Sequence, residues 1–151
     1  EAFRPAVDWY ALAQPPSGST ATAMGWEVAP QALGHQLLEL KERYGNPPIV
    51  VTENGAAFVD RARSGAGGRV DDRSRASYLV AYLRELSAAI EAGCDVRGYF
   101  VWTLVDNFEW ASGFTHRFGI VELDRDTLRR RPKLSYDVYR EIVATGELPD
   151  L

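Results

Sequence analysis

The sequence predicts an α/β fold with a parallel sheet, on three observations. Two segments place apolar residues at helical spacing: Leu33, Leu37, Leu40 and Tyr44, then Leu79, Leu83, Leu86 and Ile90. Each is followed by a short β-branched or aromatic run, residues 49–52 and 96–102. Neither run alternates with polar residues, as expected of a parallel strand buried on both faces. The runs lie about fifty residues apart, which leaves room for a loop and a crossover helix between parallel strands.

The first element in order is a stretch without sustained period, residues 1–29. Pro5, Pro15, Pro16, Gly18 and the Ser/Thr cluster at 17–22 give it the signals of a long surface loop. Residues 30–151 then read as helix, strand, helix, strand, hairpin and helix. The first helix starts at Pro30, a favourable first-turn residue, and stops at Gly45, with Pro47 preventing continuation. His35 sits off its apolar stripe and reads as solvated. Residues 60–71 are rich in Arg, Gly and Ser and read as an exposed loop. Gly65, Gly67 and Gly68 match no phosphate-loop spacing. Ser74 is positioned to cap the second helix, and Gly93 ends it.

After the second strand the chain becomes aromatic and polar. Residues 120–124 and 128–130 flank Asp126 as a small hairpin. Its basic residues, Arg125, Arg129, Arg130, Arg131 and Lys133, are interleaved with Glu122, Asp124 and Asp126. They read as a solvated face rather than a nucleic-acid patch. A last helix runs from about Leu134 with Val138, Tyr139 and Ile142 inward.

Composition excludes several function classes. The chain has 151 residues, 46% hydrophobic and 25% charged, with a net charge of −4. That is neither a disordered nor a disulfide-rich composition. A mildly acidic chain makes a poor phosphate-backbone binder, so no nucleic-acid partner is expected. The apolar runs are too short for a membrane span. Cys94 is the only cysteine, so an internal disulfide is impossible and a Cys-based metal site is not expected. The lone thiol suits a cytoplasmic location. The first residue is Glu1 rather than Met, which points to processing or truncation.

Chemistry concentrates at the two strand ends. The first strand runs directly into Thr52, Glu53, Asn54 and Gly55. A carboxylate there costs desolvation unless it has partners, and in (β/α)₈ barrels the reaction centre is built at that end. The second strand ends at Trp102, followed closely by Asp106, Asn107, Phe108, Glu109 and Trp110. Aromatic faces with a few fixed polar groups suit a sugar, whose C–H faces pack on indole while carboxylates accept its hydroxyls.

At these motifs the chain resembles glycoside hydrolase family 1, the β-glucosidase family. PPIVVTENGAAF (47–58) and RGYFVWTLVDNFEWASGFTHRFGIVELD (97–124) carry the resemblance, with TAMGWEVAP (22–30), RVDD (69–72) and RRRPKLSYDVYREI (129–142). The likeness runs from about Ala21 onward and involves several ordered motifs. It implies the C-terminal part of a TIM (β/α)₈ barrel, its last two strands with flanking helices, incomplete as an isolated chain. It further implies hydrolysis of β-D-glycosides by double displacement, with Glu53 as the nucleophile. Trp102 matches a platform for the sugar. Glu109 and Trp110 match residues that hold its distal hydroxyls, and Phe118 an aromatic that closes the same subsite. The Asn-Phe-Glu-Trp pattern points to unphosphorylated glycosides. A cis peptide is implied between Trp102 and Thr103.

The resemblance implies no cofactor, and a β-linked glucoside or oligosaccharide as substrate. It also marks an omission. The family's acid/base glutamate lies in an Asn-Glu-Pro motif, and no such motif occurs here. Glu27 and Glu109 fall in other motifs. The missing N-terminal part of the barrel is therefore an expected partner, and this chain alone is expected to be inactive. The alternative is a degenerate relative or carbohydrate-binding fragment without catalysis. His116 reads as a rim residue and Cys94 as packed.

Overall fold

The structure, a computed structural model, describes residues 15–60 and 69–151. The loops expected over 1–14, with Pro5, and over 61–68, with Gly65, Gly67 and Gly68, lie outside the described residues. Between 15 and 29 the chain is more ordered than a plain loop. Ala21 bridges Glu27 antiparallel, and the turn is closed by Thr22 N–H to Trp26 O at 2.8 Å.

Helix α1 spans Pro30–Tyr44, with proline in its first turn. Gly45 ends it at φ 72°, where a Cβ would be strained, and donates its N–H to Lys41 O. Leu37 is buried, while Leu33 and Leu40 are half-buried. Tyr44 corrects its expected inward place: it is exposed at the last turn, beside the Arg43 guanidinium. His35 is exposed, as expected.

Strands β1 (Ile49–Asn54) and β2 (Val96–Val101) pair in parallel. Their expected burial on both faces is corrected. Ile49, Val51, Val96 and Tyr99 pack against Leu37, Leu86, Ala89 and Cys94 of the helical layer. On the other face Val50 and Phe100 are 48% and 60% exposed. The parallel sheet has two strands among the described residues, so no neighbouring strand curls round to cover that face.

Helix α2 spans Arg73–Glu91 and starts one residue before the expected Ser74 cap, with Asp72 at the cap position. Asp72 is buried, and its carboxylate accepts from Arg75 and from the N–H and hydroxyl of Ser135. Leu79, Leu83 and Leu86 are buried, but Ile90, expected inward, is 44% exposed in the last turn. Gly93 follows at φ 90°, as its stop role requires.

Strands β3 (Val121–Leu123) and β4 (Arg130–Pro132) form an antiparallel hairpin. The second arm starts two residues later than expected. Asp124 N–H bonds Arg129 O and Thr127 N–H bonds the Asp124 carboxylate, which draws Leu128 into the turn at φ 55°. Helix α3 (Leu134–Thr145) closes the described fold, with Val138, Tyr139 and Ile142 half-buried.

The largest correction is Lys133, which the sequence placed on a solvated face. It is fully buried. Its ammonium donates to Asp60 at 2.8 Å and Asp106 at 3.0 Å. Arg75, 1% exposed, joins the same cluster through Asp60 at 2.8 Å and through Asp72. Charged groups so deeply buried persist only when paired. Among the described residues, no helix is long and apolar enough to cross a membrane.

Candidate active site

The site begins with an irregularity in β1. Val51 pairs with Tyr99 and Asn54 with Val101, so three steps along β1 match two along β2. The extra residue is a bulge, a device that re-aims side chains next to sites. Regular alternation would send residue 53 to the same side as Val51, toward the helices. Instead Thr52 and Glu53 are both exposed and Asn54 takes the inner side, bonded to Tyr99 and Tyr78.

The two strand ends are then tied together. Trp102 N–H donates to Asn54 O at 2.9 Å. The Trp102–Thr103 peptide is cis, as the resemblance implies. Gly55 lies against the Trp102 carbonyl, which occupies the space a Cβ would need.

Beyond Trp102 the chain crosses the mouth of the sheet and returns. Glu109 N–H bonds Gly113 O, closing a short loop that contains the 3-10 turn Trp110–Ser112. Phe118 is fixed from both sides. Arg75 donates to Arg117 O at 2.7 Å, and Gly119 N–H donates to the Asp106 carboxylate at 2.9 Å. The buried cluster therefore holds the peptide on either side of Phe118.

A cleft of about 270 Å³ results, lined by Trp26, Glu53, Gly55, Trp102, Glu109, Trp110 and Phe118. It gathers all five residues singled out from the sequence. Phe118 is buried at 5% exposure, whereas Trp110 stands 82% exposed at the edge. Two lining residues were not singled out as site residues. Gly55 belongs to the Thr-Glu-Asn-Gly motif but offers no functional group. Trp26 lies in TAMGWEVAP, where its one signal was being an indole in a motif; its ring centroid lies 6.1 Å from that of Phe118.

The electrostatics around the cleft differ from group to group. Burial is the largest influence on Asp60 and favours its neutral form. The charges and hydrogen bonds of Arg75 and Lys133 together outweigh it and hold the carboxyl below its ordinary value. At Asp106 burial prevails over Lys133 and pushes the carboxyl up. Burial likewise raises Tyr78 and Tyr99, which stay protonated and able to donate.

Chemically, the cleft presents an exposed carboxylate beside aromatic faces and a second, half-buried carboxylate, Glu109. That combination suits a neutral polyol with an electrophilic carbon. Among the described residues, no group of His, Cys, Asp or Glu is arranged to hold a metal ion. His116 lies outside this cleft, between Thr115 and the carbonyl of Ala23, and Cys94 is free and buried.

Comparison with known proteins agrees with this fold. The model of Glycosyl hydrolase family 1 matches residues 11–148, ten residues further toward the N-terminus than the sequence motifs suggested. A bifunctional β-D-glucosidase/β-D-fucosidase of Bifidobacterium breve is 44% identical over 140 residues, covering 91% of this chain and 29% of that protein. The structure of a family 1 β-glucosidase from Thermotoga maritima superposes with a TM-score of 0.82 at 44% identity, over 88% of this chain and 30% of that one. A probable inactive β-glucosidase 14 of Oryza sativa subsp. japonica is 41% identical over 133 residues, 88% of this chain and 26% of that protein. The chain thus spans under a third of the length of these relatives.

Proposed function

The chain belongs to glycosyl hydrolase family 1, and we propose that it supplies the nucleophile side of a retaining β-glycosidase site. Its paired strands and helices are part of a (β/α)₈ barrel, and the cleft lies at the C-terminal ends of those strands. The observation that carries the reading is Glu53, turned out of strand alternation into a cleft walled by Trp26, Trp102, Trp110 and Phe118.

In this reading the Glu53 carboxylate attacks the anomeric carbon of a β-linked glucoside. The bond to the leaving oxygen breaks as that oxygen takes a proton from an acid, and a glycosyl ester of Glu53 forms. Water then attacks the same anomeric carbon, giving up its proton to the conjugate base of that acid, and the bond to Glu53 breaks to release its carboxylate. Trp102 supports the sugar face, Glu109 and Trp110 hold its distal hydroxyls, and Phe118 closes the subsite. The acid must stand about 5–5.5 Å from the nucleophile. No Asn-Glu-Pro motif is present in the sequence, so we assign the acid to the remainder of the barrel, which this chain requires as its partner. A cytoplasmic location goes with this reading, since the sequence has a single cysteine, Cys94, and it is buried.

The test is covalent trapping with a 2-deoxy-2-fluoro-β-glucoside bearing a good leaving group. Glu53 should be labelled when a polypeptide carrying the remaining strands is supplied, and Glu53→Gln should not. A second reading, a family member without catalysis, is favoured by the missing motif and by the rice relative named as probably inactive. Absence of label in the completed barrel would establish that reading instead.

A further inference from the structure

The bulge that turns Glu53 outward needs something to hold it, because a regular strand would satisfy the ladder equally well without it. The inner side of the strand end shows what does. Asn54 faces the helical layer, and its side-chain carbonyl accepts from the Tyr99 hydroxyl at 2.8 Å. Its amide group donates to the Tyr78 hydroxyl at 3.4 Å. One partner comes from β2 and the other from α2, so the amide is gripped by two separate elements. Both tyrosines are themselves secured. Tyr78 stacks on Tyr82 with ring centroids 4.1 Å apart, and Tyr139 of α3 donates its hydroxyl to Tyr99 O at 3.3 Å. On the far side of Asn54, the backbone carbonyl takes Trp102 N–H.

Adjacent residues of an extended chain point to opposite sides. Gripping Asn54 inward therefore commits Glu53 to the cleft. Slipping the register by one residue would return Glu53 to the helix side and break both side-chain bonds of Asn54. We propose that the Tyr99 hydroxyl, acting through Asn54, is a positioning residue that sets the register and aim of Glu53. This rests on the reading of Glu53 as nucleophile. The required chemistry is narrow: an amide at 54, which both donates and accepts, and a hydroxyl at 99 that reaches it from the neighbouring strand.

Tyr99→Phe tests it, since only one oxygen is lost and the ring packing against Tyr139 is kept. Tyr136→Phe is the control. It removes a hydroxyl from a ring packed on the same core, one that bonds none of Asn54, Tyr78 and Tyr99. Two readouts are taken, amide hydrogen exchange of the chain and the rate of Glu53 labelling in the completed barrel. Tyr99→Phe should speed exchange at the Trp102 amide about tenfold while amides in the middle of α2 keep their rates. It should also slow labelling about tenfold or more at unchanged reagent affinity, because misplacement of a reacting group acts on the chemical step. Tyr136→Phe should change neither. Uniform acceleration of exchange, labelling at the wild-type rate, or an equal effect of Tyr136→Phe overturns the proposal. If the wild-type barrel takes no label, the nucleophile reading fails and the exchange data alone decide the clamp. Should Tyr99→Phe not fold, Tyr78→Phe removes the other hydroxyl and carries the same comparison.

Discussion

Gly55 and Trp102 share one volume: the carbonyl oxygen of Trp102 occupies the space into which any side chain at residue 55 would project. With the Trp102 N–H bonded to Asn54, this contact fixes the ends of β1 and β2 against each other at the floor of the cleft. The neighbour is backbone, so it cannot swing aside as a flexible side chain would. Gly55→Ala should therefore cost about 3 kcal/mol, the upper end of ordinary overpacking. In a chain of this size that lowers the thermal midpoint by roughly 10 °C. A midpoint within 2 °C of wild type, on the order of the shift a sub-kcal change gives, would show that the strand ends adapt freely.

Lys133 sits fully buried between Asp60 and Asp106, with Arg75 completing the cluster. Removing the ammonium leaves buried carboxylates with one cation fewer. Lys133→Met should lose about 3–5 kcal/mol, the usual result of breaking a buried pair from one side. Neutralising a partner as well, in Lys133→Met/Asp106→Asn, should recover part of that loss in chemical denaturation. If the double variant is no more stable than the single, the cost lies in packing and not in the uncompensated charge.

The same cluster makes opposite contributions to the pH dependence of stability. Asp60 lies among Arg75, Lys133 and the more distant Arg117, and its folded value is below the ordinary 3.8. The unfolded chain binds a proton there first, so this contribution is present above 3.8 and is lost as pH falls through the folded value. Asp106 is raised above 3.8 by burial. The folded state there holds its proton longer, so stability falls as pH climbs from 3.8 through the raised value. Thermal midpoints measured against pH should separate the two. Subtracting the profile of Asp106→Asn from wild type should leave a decline on the high side of 3.8, and subtracting that of Asp60→Asn a decline on the low side. Parallel profiles would show that neither carboxyl is perturbed.

What the sequence made legible was local. Gly45 and Gly93 end helices because a left-handed stop is written in the residue itself, and Leu37, Leu79 and Leu83 follow from spacing along one helix. The gathering of Glu53, Trp102, Glu109 and Trp110 along one cleft was legible for a similar reason, since Glu53 and Trp102 lie at strand ends and Glu109 and Trp110 share one short segment. Lys133 was not readable. Its partners Asp60 and Asp106 lie 73 and 27 positions away, and three basic neighbours made it look solvent-facing. The open faces of Val50 and Phe100 were missed because a run of apolar residues encodes a preference for burial, not the presence of the strands that would bury it. The outward turn of Glu53 depends on a register difference between two strands, which no single segment contains.

Trp26 carries the last prediction, because it reaches the cleft from a part of the chain that the buried cluster does not touch. Its turn is held by local bonds, with Trp26 N–H on the Thr22 hydroxyl at 3.1 Å and Thr22 N–H on Trp26 O. Its indole is 42% exposed and leans on Phe118 at an interplanar angle of 49°. The turn is tied to the rest of the fold through its backbone, by Ala23 N–H to Ala57 O at 2.8 Å, and not through the indole, so Trp26→Ala should change stability by about 1 kcal/mol or less. The cleft, however, loses one aromatic wall. Aromatic contacts of this kind contribute about 0.5–1.5 kcal/mol, so affinity for a glucose-shaped amine inhibitor should fall by roughly three- to tenfold in the completed barrel. Trp26→Phe keeps an apolar face and should recover most of the difference. Calorimetric titration gives the affinities directly. Equal binding by wild type and Trp26→Ala would remove Trp26 from the sugar subsite and leave it as packing for Phe118 alone.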